Sequence, residues 1–192
     1  MIFQRTIKNK VSAVGVGLHT GQKVRIVLKP AIENSGIIFK RTDSKLPIEI
    51  KVEPKAVKET QLSTTIGKGE FKISTVEHLM SALSASGVDN ILIEVDGSEI
   101  PIMDGSSISF VYLIKSAVVC EQLEFKKFAV IKDTIKVEDG EKFAKFEPYQ
   151  GFLVDFTIDF PHPAFKKENS HVEIDFFKDS YVNHISRART FG

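Results

Sequence analysis

The stretch Ser74-Thr75-Val76-Glu77-His78-Leu79 places a carboxylate and an imidazole side by side at the start of a predicted helix. Ser74 and Glu77 have the spacing of a capping box, in which both side chains bond free backbone N–H groups of the first helical turn. Apolar residues then recur at i, i+3, i+4 and i+7 and form one stripe, which consists of Val76, Leu79, Met80 and Leu83. This amphipathic helix is predicted to end at Gly87, because glycine commonly follows the last residue of a helix.

His78 lies away from the apolar stripe, because it is about 200° from Val76 at 100° per residue. The positive end of a helix disfavours imidazolium and therefore suits metal binding by a neutral histidine. A surface histidine without a metal is the simpler interpretation of the spacing, and capping alone explains Glu77. None of the five histidines pair at i, i+4 or as His-x-His, so spacing alone does not define a zinc site, which needs about three protein ligands.

Strand patterns surround this helix. Val24–Leu28 alternates apolar and polar residues after a Thr-Gly turn, as a half-buried strand does. Further strands are predicted at 36–39, 46–52 and 90–95, and a second helix at about 107–119. Strand patterns return after this second helix.

The second run of strands echoes the first. The turn, lysine, alternating strand and proline at 20–30 recur at 139–148, about 118 residues later. This echo predicts a duplicated unit of strands followed by two helices, with one domain at 1–124 and another at 125–192. Two unrelated hairpins with common turn residues would give a similar echo.

The same offset places the first helix of the second copy at the last residue of the chain. A strand layer without covering helices exposes its apolar face. We therefore expect the second domain to be incomplete, either through truncation or because a separate segment completes it.

The composition is that of an ordinary globular protein, with 42% hydrophobic and 27% charged residues. The net charge of +1 argues against a nucleic-acid or anionic-membrane surface. The single cysteine, Cys120, excludes an internal disulfide framework and a cysteine-based zinc site, and it favours a reducing compartment. The N-terminus lacks an apolar signal core, and no run approaches the ~18 apolar residues that span a bilayer, so a cytoplasmic location is expected.

Other segments carry candidate functional residues. His19 lies between glycines at 15–21, which predicts either a tight loop whose backbone approaches another group closely or a plain hairpin turn with an exposed histidine. Leu62 is a lone apolar residue in a polar connection, and Phe160 ends an alternating segment more typical of a sheet core than of a ligand platform. The basic end at 186–192 is typical of a disordered terminus.

Four motifs in this order together resemble one protein family. They are Gly-Val-Gly-Leu-His-Thr-Gly at 15–21, Ile-Ser-Thr-Val-Glu-His-Leu at 73–79, Glu-Ile-Pro-Ile-Met-Asp-Gly-Ser at 99–106 and Ser-Arg-Ala-Arg-Thr-Phe-Gly at 186–192. The family they resemble is the zinc-dependent UDP-3-O-acyl-N-acetylglucosamine deacetylase of lipid A biosynthesis. Four ordered motifs are far more specific than any one of them.

The resemblance implies hydrolysis of the N-acetyl group of a UDP-linked, 3-O-acylated glucosamine. This is the committed step toward the lipid anchor of lipopolysaccharide in Gram-negative bacteria. The resemblance also implies an enzyme that is monomeric at full length. Its fold would be of the α+β class, with two similar sheet-plus-two-helix domains of the ribosomal S5 domain 2-like kind, the second incomplete in this chain.

The resemblance further implies roles for individual residues. His78 would be a zinc ligand, Glu77 the general base and Thr190 a hydrogen-bond donor to the oxyanion. Four residues would line the substrate site, namely His19, Leu62, Phe160 and Phe191. The other two zinc ligands of the family come from a His-Lys-x-x-Asp segment that this sequence lacks, so little or no activity is expected of the chain alone.

The implied chemistry is physically coherent. Zinc lowers the pKa of bound water to about 7, and Glu77 can accept the proton as hydroxide attacks. A donor such as Thr190 contributes roughly 3 kcal/mol to stabilising the oxyanion. The alternative function is a non-catalytic nucleotide- or nucleic-acid-binding module of the same α+β class.

Overall fold

The computed structural model describes residues 1–44, 48–158 and 170–190, and it is of the α+β class. These residues divide into two compact units. The first unit contains residues 1–127 together with 185–190, and the second contains residues 128–184. The division at residue 124 remains a prediction, and the segment after residue 184 groups with the first unit.

Among its described residues, the first unit contains strands, two α-helices and one short 3-10 helix at Pro54–Ala56. The strands are β1 (Phe3–Ile7), β2 (Val11–Val16), β3 (Lys23–Pro30), β4 (Ile37–Arg41), β5 (Ile48–Lys51), β6 (Val57–Glu59), β7 (Thr65–Lys68), β8 (Phe71–Ile73), β9 (Ile91–Val95) and β10 (Val119–Phe125). The α-helices are α1 (Glu77–Ala85) and α2 (Ile108–Ser116).

A five-stranded sheet in the order β2-β3-β9-β4-β5 forms one layer of the core. β4 and β9 are parallel, so the chain between them crosses over, and this crossover includes α1. Alternate residues of the central strands are fully or almost fully buried, namely Val24, Ile26, Leu28, Ile91, Ile93 and Val95. Smaller antiparallel sheets pair β1 with β10 and join β6, β7 and β8.

The two helices pack against each other and add further apolar side chains to the core. The predicted stripe of the first helix is confirmed, since Val76, Leu79 and Leu83 are buried and Met80 is half-buried. On α2 the buried residues are Ile108, Phe110, Val111 and Ile114. Burial of these apolar side chains is the main stabilising contribution to the first unit.

The predicted strand at 24–28 is confirmed within β3, and the predicted strands at 36–39 and 90–95 are confirmed as β4 and β9. The prediction at 46–52 is confirmed for β5, although residues 45–47 lie outside the described residues. The prediction that the second helix reaches residue 119 is wrong. The chain takes a left-handed conformation at Val118 (φ 61°) and then pairs with β1 as strand β10.

The prediction that the first helix begins at Ser74 is also wrong, because α1 begins at Glu77. Ser74 forms a parallel bridge with Glu99 instead. The Ser74 N–H donates to the Ser98 carbonyl at 2.9 Å, and the Ile100 N–H donates to the Ser74 carbonyl at 3.0 Å. A residue with both backbone groups in a strand bridge is not the cap of a helix, and the first turn of α1 has no side-chain cap.

In its described residues, the second unit contains two antiparallel strand pairs and a short helix. These elements are β11 (Ile135–Asp139), β12 (Lys142–Phe146), β13 (Leu153–Thr157), β14 (His171–Asp175) and α3 (Tyr181–His184). Apolar residues of both hairpins are open to solvent, as the exposed fractions of Val137 (69%) and Phe156 (60%) illustrate. Within the described residues, no helix has the length and hydrophobicity that a bilayer crossing requires.

Candidate active site

Glu77 is the first residue of α1, and its half-buried carboxylate is bonded to a neighbouring loop. Oε2 of Glu77 accepts a hydrogen bond from the Thr64 N–H at 3.0 Å, and the Thr64 carbonyl accepts one from the Val76 N–H at 3.3 Å. The capping-box prediction for Glu77 is therefore wrong, since its carboxylate bonds a residue thirteen positions earlier. This contact fixes the carboxylate at the start of the helix and leaves Oε1 without a described partner.

His78 follows Glu77 on α1 and is also half-buried. Its ring makes no hydrogen bond or ion pair with another described residue. Zinc requires about three protein ligands in a catalytic site. The part of the chain that the structure describes brings no three His, Cys, Asp or Glu side chains together in a way that could hold a metal. These residues therefore do not fit a complete zinc site, and His78 is at most one member of a ligand set.

The turn into α1 is set by Thr75, which has a left-handed backbone (φ 58°) although it is a β-branched residue. Such a conformation is a genuine outlier for threonine and is maintained only where the surroundings hold it. The buried Thr75 hydroxyl donates to Oε1 of Glu99 at 3.0 Å. The buried carboxylate of Glu99 therefore bonds the residue that sets the direction of the chain into Glu77 and His78.

Glu99 is 2% exposed and accepts hydrogen bonds from a second segment as well. The backbone N–H of His19 donates to Oε1 at 3.0 Å, and that of Thr20 donates to Oε2 at 2.9 Å. Burial by itself raises the pKa of Glu99, but the hydrogen bonds from His19, Thr20 and Thr75 outweigh this effect, and the pKa is lowered below its ordinary value. Glu99 is therefore held as a buried carboxylate.

The glycine-flanked loop that carries His19 lies directly over Glu99. Gly17 is buried, and a Cβ atom at this position would be 2.4 Å from Oε2 of Glu99. A Cβ at Gly15 would be 2.8 Å from the Cβ of Pro101, so the loop approaches the 99–106 segment at two positions. The predicted close approach of the backbone is thus observed, and the loop is also a hairpin turn between β2 and β3 with the His19 side chain exposed at its tip.

Thr190 joins the same unit through the start of α2. Its N–H donates to the Gly105 carbonyl at 2.9 Å, and the buried Ser107 hydroxyl donates to the Ser186 carbonyl at 3.2 Å. The end of the described chain is therefore fastened rather than disordered, which corrects the expectation for residues 186–190. The Thr190 hydroxyl makes no hydrogen bond with another described residue.

Asp104 organises the turn between these contacts and α2. Its carboxylate accepts hydrogen bonds from the hydroxyls of Ser106 (2.9 Å) and Ser109 (3.0 Å). Burial tends to raise the pKa of Asp104, yet these serine hydrogen bonds lower it overall. The turn that receives Thr190 is thereby held by a charged acceptor next to the start of α2.

The remaining predicted site residues are placed as follows. Leu62 is 86% exposed, has a left-handed backbone (φ 64°) and lies two residues before Thr64, whose N–H bonds Glu77. Phe160 and Phe191 lie outside the described residues. A cavity of about 720 Å³ in the first unit, lined in part by Lys51, Lys58 and Lys68, contains none of the predicted site residues.

Glu99 is the residue that the sequence analysis missed. It is the first residue of the quoted 99–106 motif, where a lone acid precedes the apolar Ile-Pro-Ile run. A carboxylate in such a run is a candidate for burial, and a buried carboxylate requires hydrogen-bond donors. That signal could have identified Glu99 as a partner for the donors of the glycine loop.

In this α+β protein the glycine loop and the entry to the Glu77-His78 turn are thus bonded to one buried carboxylate, Glu99. Residues 4–192 match the model of the family LpxC: UDP-3-O-acyl N-acetylglycosamine deacetylase, and the chain belongs to that family.

Two curated relatives carry the name UDP-3-O-acyl-N-acetylglucosamine deacetylase. The protein from Methylococcus capsulatus (strain ATCC 33009 / NCIMB 11132 / Bath) is 54% identical, and that from Thioalkalivibrio sulfidiphilus (strain HL-EbGR7) is 51% identical, each over all 192 residues. The chain spans 63% of the length of either relative.

Proposed function

We propose that this chain carries part of the active site of a deacetylase that hydrolyses the N-acetyl group of UDP-3-O-acyl-N-acetylglucosamine, the committed step of lipid A biosynthesis. The observation that carries the proposal is the Glu77-His78 pair at the start of α1. The Glu77 carboxylate is fixed by the Thr64 N–H at 3.0 Å, while the His78 ring has no described partner. Membership of the deacetylase family supports the proposal, and it disfavours the alternative of a non-catalytic nucleotide- or nucleic-acid-binding module.

In this proposal Glu77 is the general base. One of its oxygens accepts the Thr64 N–H and the other remains available to accept a proton from the attacking water. A carboxylate whose orientation is already fixed loses little freedom when it reacts, which favours proton transfer. Proton transfer by such a positioned group contributes about 10²–10⁴-fold to the rate.

Thr190 is proposed as the donor to the oxyanion. Its N–H is already used by the Gly105 carbonyl, which fixes the residue and leaves its hydroxyl available. His78 is proposed as one zinc ligand, with the other ligands contributed from outside the described residues. His19, Leu62, Phe160 and Phe191 are proposed to line the binding site for the acylated UDP-glucosamine.

Three further features belong to this proposal. The fold is proposed to contain two similar sheet-plus-two-helix domains of the ribosomal S5 domain 2-like kind, of which the second is incomplete in this chain. The full-length enzyme is proposed to be a monomer and to act in the cytoplasm. The hairpin formed by β11 and β12 supports the duplication, because it repeats the antiparallel pairing of β2 with β3.

A chimera tests the proposed activity. Residues 1–192 replace the matching segment of the Methylococcus capsulatus relative, and release of acetate from UDP-3-O-acyl-N-acetylglucosamine is measured beside bound zinc. The chimera is expected to bind zinc and release acetate, whereas the 192-residue chain alone is expected to show little or no turnover. A well-folded, zinc-loaded chimera that releases no acetate would contradict the proposal.

Glu77→Gln in the chimera separates catalysis from structure. The glutamine oxygen can still accept the Thr64 N–H, so the free energy of unfolding is expected to change by less than about 1 kcal/mol. The rate is expected to fall by at least about 100-fold because an amide cannot accept the proton. Glu94→Gln is the matched control, since the Glu94 carboxylate in β9 pairs with Lys29 in β3 and with no predicted site residue that the structure describes. Equal rates for Glu77→Gln and the control would refute the role of Glu77.

A further inference from the structure

Two segments of the candidate site share one carboxylate. Oε1 of Glu99 accepts both the His19 N–H and the Thr75 hydroxyl, each at 3.0 Å. Oε2 accepts the Thr20 N–H at 2.9 Å. A single side chain therefore joins the exposed tip of the glycine loop to the residue two positions before Glu77.

This arrangement requires a carboxylate. All three described partners are donors, and an ionised carboxylate is an acceptor at both oxygens. Hydrogen bonds to a charged acceptor are stronger than those between neutral groups. A glutamine at position 99 would turn an NH₂ group toward at least one N–H or O–H donor and would leave that donor without an acceptor.

We infer that Glu99 is a positioning residue that fixes the His19 loop and the Glu77-His78 turn relative to each other. The inference rests on the proposed function for its effect on catalysis, although the contacts themselves do not depend on it. Glu99 acts on the reaction through other residues, because its two oxygens are turned toward Thr75 and the backbone of the loop.

The backbone around Glu99 supports this role. The left-handed conformation of Thr75 turns the chain from the Ser74 bridge into α1 within two residues, and such strain is retained only where neighbours hold it. The loop above Glu99 comes so close at Gly17 that a Cβ atom there would force Glu99 or Thr20 to shift. Both segments therefore lie against Glu99. The Thr75 segment has a strained backbone, and the Gly17 loop is in close contact with the carboxylate.

The inference makes a graded prediction for the chimera. Thr75→Val removes one hydroxyl and disturbs only the turn toward Glu77, so it should lower kcat with little change in KM. Thr75→Ser keeps the hydroxyl and should retain most of the rate. Glu99→Gln disturbs both segments, so it should lower kcat and raise KM together. An effect confined to protein stability would leave kcat and KM of the folded fraction unchanged.

Amide NMR of the 192-residue chain provides a test that does not depend on turnover. Glu99→Gln should speed hydrogen exchange of the His19 and Thr20 amides by at least about tenfold, because each loses a charged acceptor. It should also shift the Thr64 and Glu77 amide resonances, because the turn into α1 moves. Glu94→Gln should do neither, and Thr75→Val gives a milder variant if Glu99→Gln does not fold.

The outcomes separate the two claims. An inactive, zinc-loaded wild-type chimera would refute the proposed function, and the spectra would still decide the role of Glu99. Unchanged Thr64 and Glu77 resonances in Glu99→Gln would overturn the positioning role. Kinetic constants of an active chimera that are unaffected by both Glu99→Gln and Thr75→Val would overturn it as well.

Discussion

Gly17→Ala is the sharpest test of the packing around Glu99. The added Cβ would lie 2.4 Å from Oε2 of Glu99 and 2.4 Å from Oγ1 of Thr20, both far inside van der Waals contact. Glu99 cannot move away without lengthening its hydrogen bonds to His19, Thr20 and Thr75. Losing two bonds to a charged acceptor, at about 1.5–3 kcal/mol each, gives an expected loss of about 4 kcal/mol.

Gly21→Ala is the matched control in the same loop. A Cβ at Gly21 would have nothing within 4 Å, so only the left-handed backbone (φ 63°) opposes the alanine. This conformation costs about 1–2 kcal/mol for a residue with a side chain. The two substitutions are chemically identical, and the difference of about 2–3 kcal/mol between them measures the contact with Glu99.

Urea unfolding followed by NMR measures this difference in the first unit alone. Because two units of one chain can unfold separately, the amide of buried Ile93 in β9 should report the transition. With a slope of about 1.5 kcal/mol/M, Gly17→Ala should lower the midpoint by about 2–3 M. Midpoints for Gly17→Ala and Gly21→Ala that agree within the error would refute the reasoning about Glu99.

Three further predictions concern single side chains. The pKa of Glu99 is lowered from 4.5 in the folded state, so its stabilising contribution is present above pH 4.5 and is lost as pH falls through the folded pKa. Glu99→Gln should therefore reduce the loss of unfolding free energy at acid pH, as measured by urea unfolding from pH 3 to 7. An unchanged acid dependence would contradict this. Phe39→Ala in β4 should cost about 3–5 kcal/mol of unfolding free energy because the ring is fully buried, against less than 0.5 kcal/mol for the exposed Ile32→Ala, and equal losses would exclude Phe39 from the core. Leu62→Asn should leave stability unchanged or raise it by up to about 1 kcal/mol because asparagine tolerates the left-handed backbone, whereas a marked loss in thermal unfolding would show that the leucine is packed.

The strands could be predicted because one face of the sheet is buried, so apolar and polar residues alternate along the sequence. The side chains of β3 alternate between the core and solvent, so the period of two at Val24, Ile26 and Leu28 is visible in the sequence. The stripe of α1 was visible for the same reason, at the helical period. Both patterns depend only on neighbouring residues, and both correspond to elements of the folded structure.

The start of α1 could not be predicted, because a distant partner decides it. Ser74 and Glu77 satisfy the capping box locally, but Ser74 bridges to Glu99 and Glu77 bonds Thr64. Two long-range contacts thus replace one local motif. The Glu77-His78 pair was found because it is contiguous, whereas the role of Glu99 depends on contacts that span 24 and 80 residues.

The fastening of Thr190 to Gly105 has a consequence for synthesis of the protein. The first unit needs residues from both sides of the second unit, so its last contacts form only after Phe128–His184 has left the ribosome. Synthesis of Phe128–His184 at about 5–20 residues per second takes on the order of 3–11 s. During that interval the start of α2 lacks its partner segment, and the buried hydroxyl of Ser107 lacks its acceptor on Ser186. A nascent chain would therefore hold an assembled sheet while the site beside α2 is still unfinished.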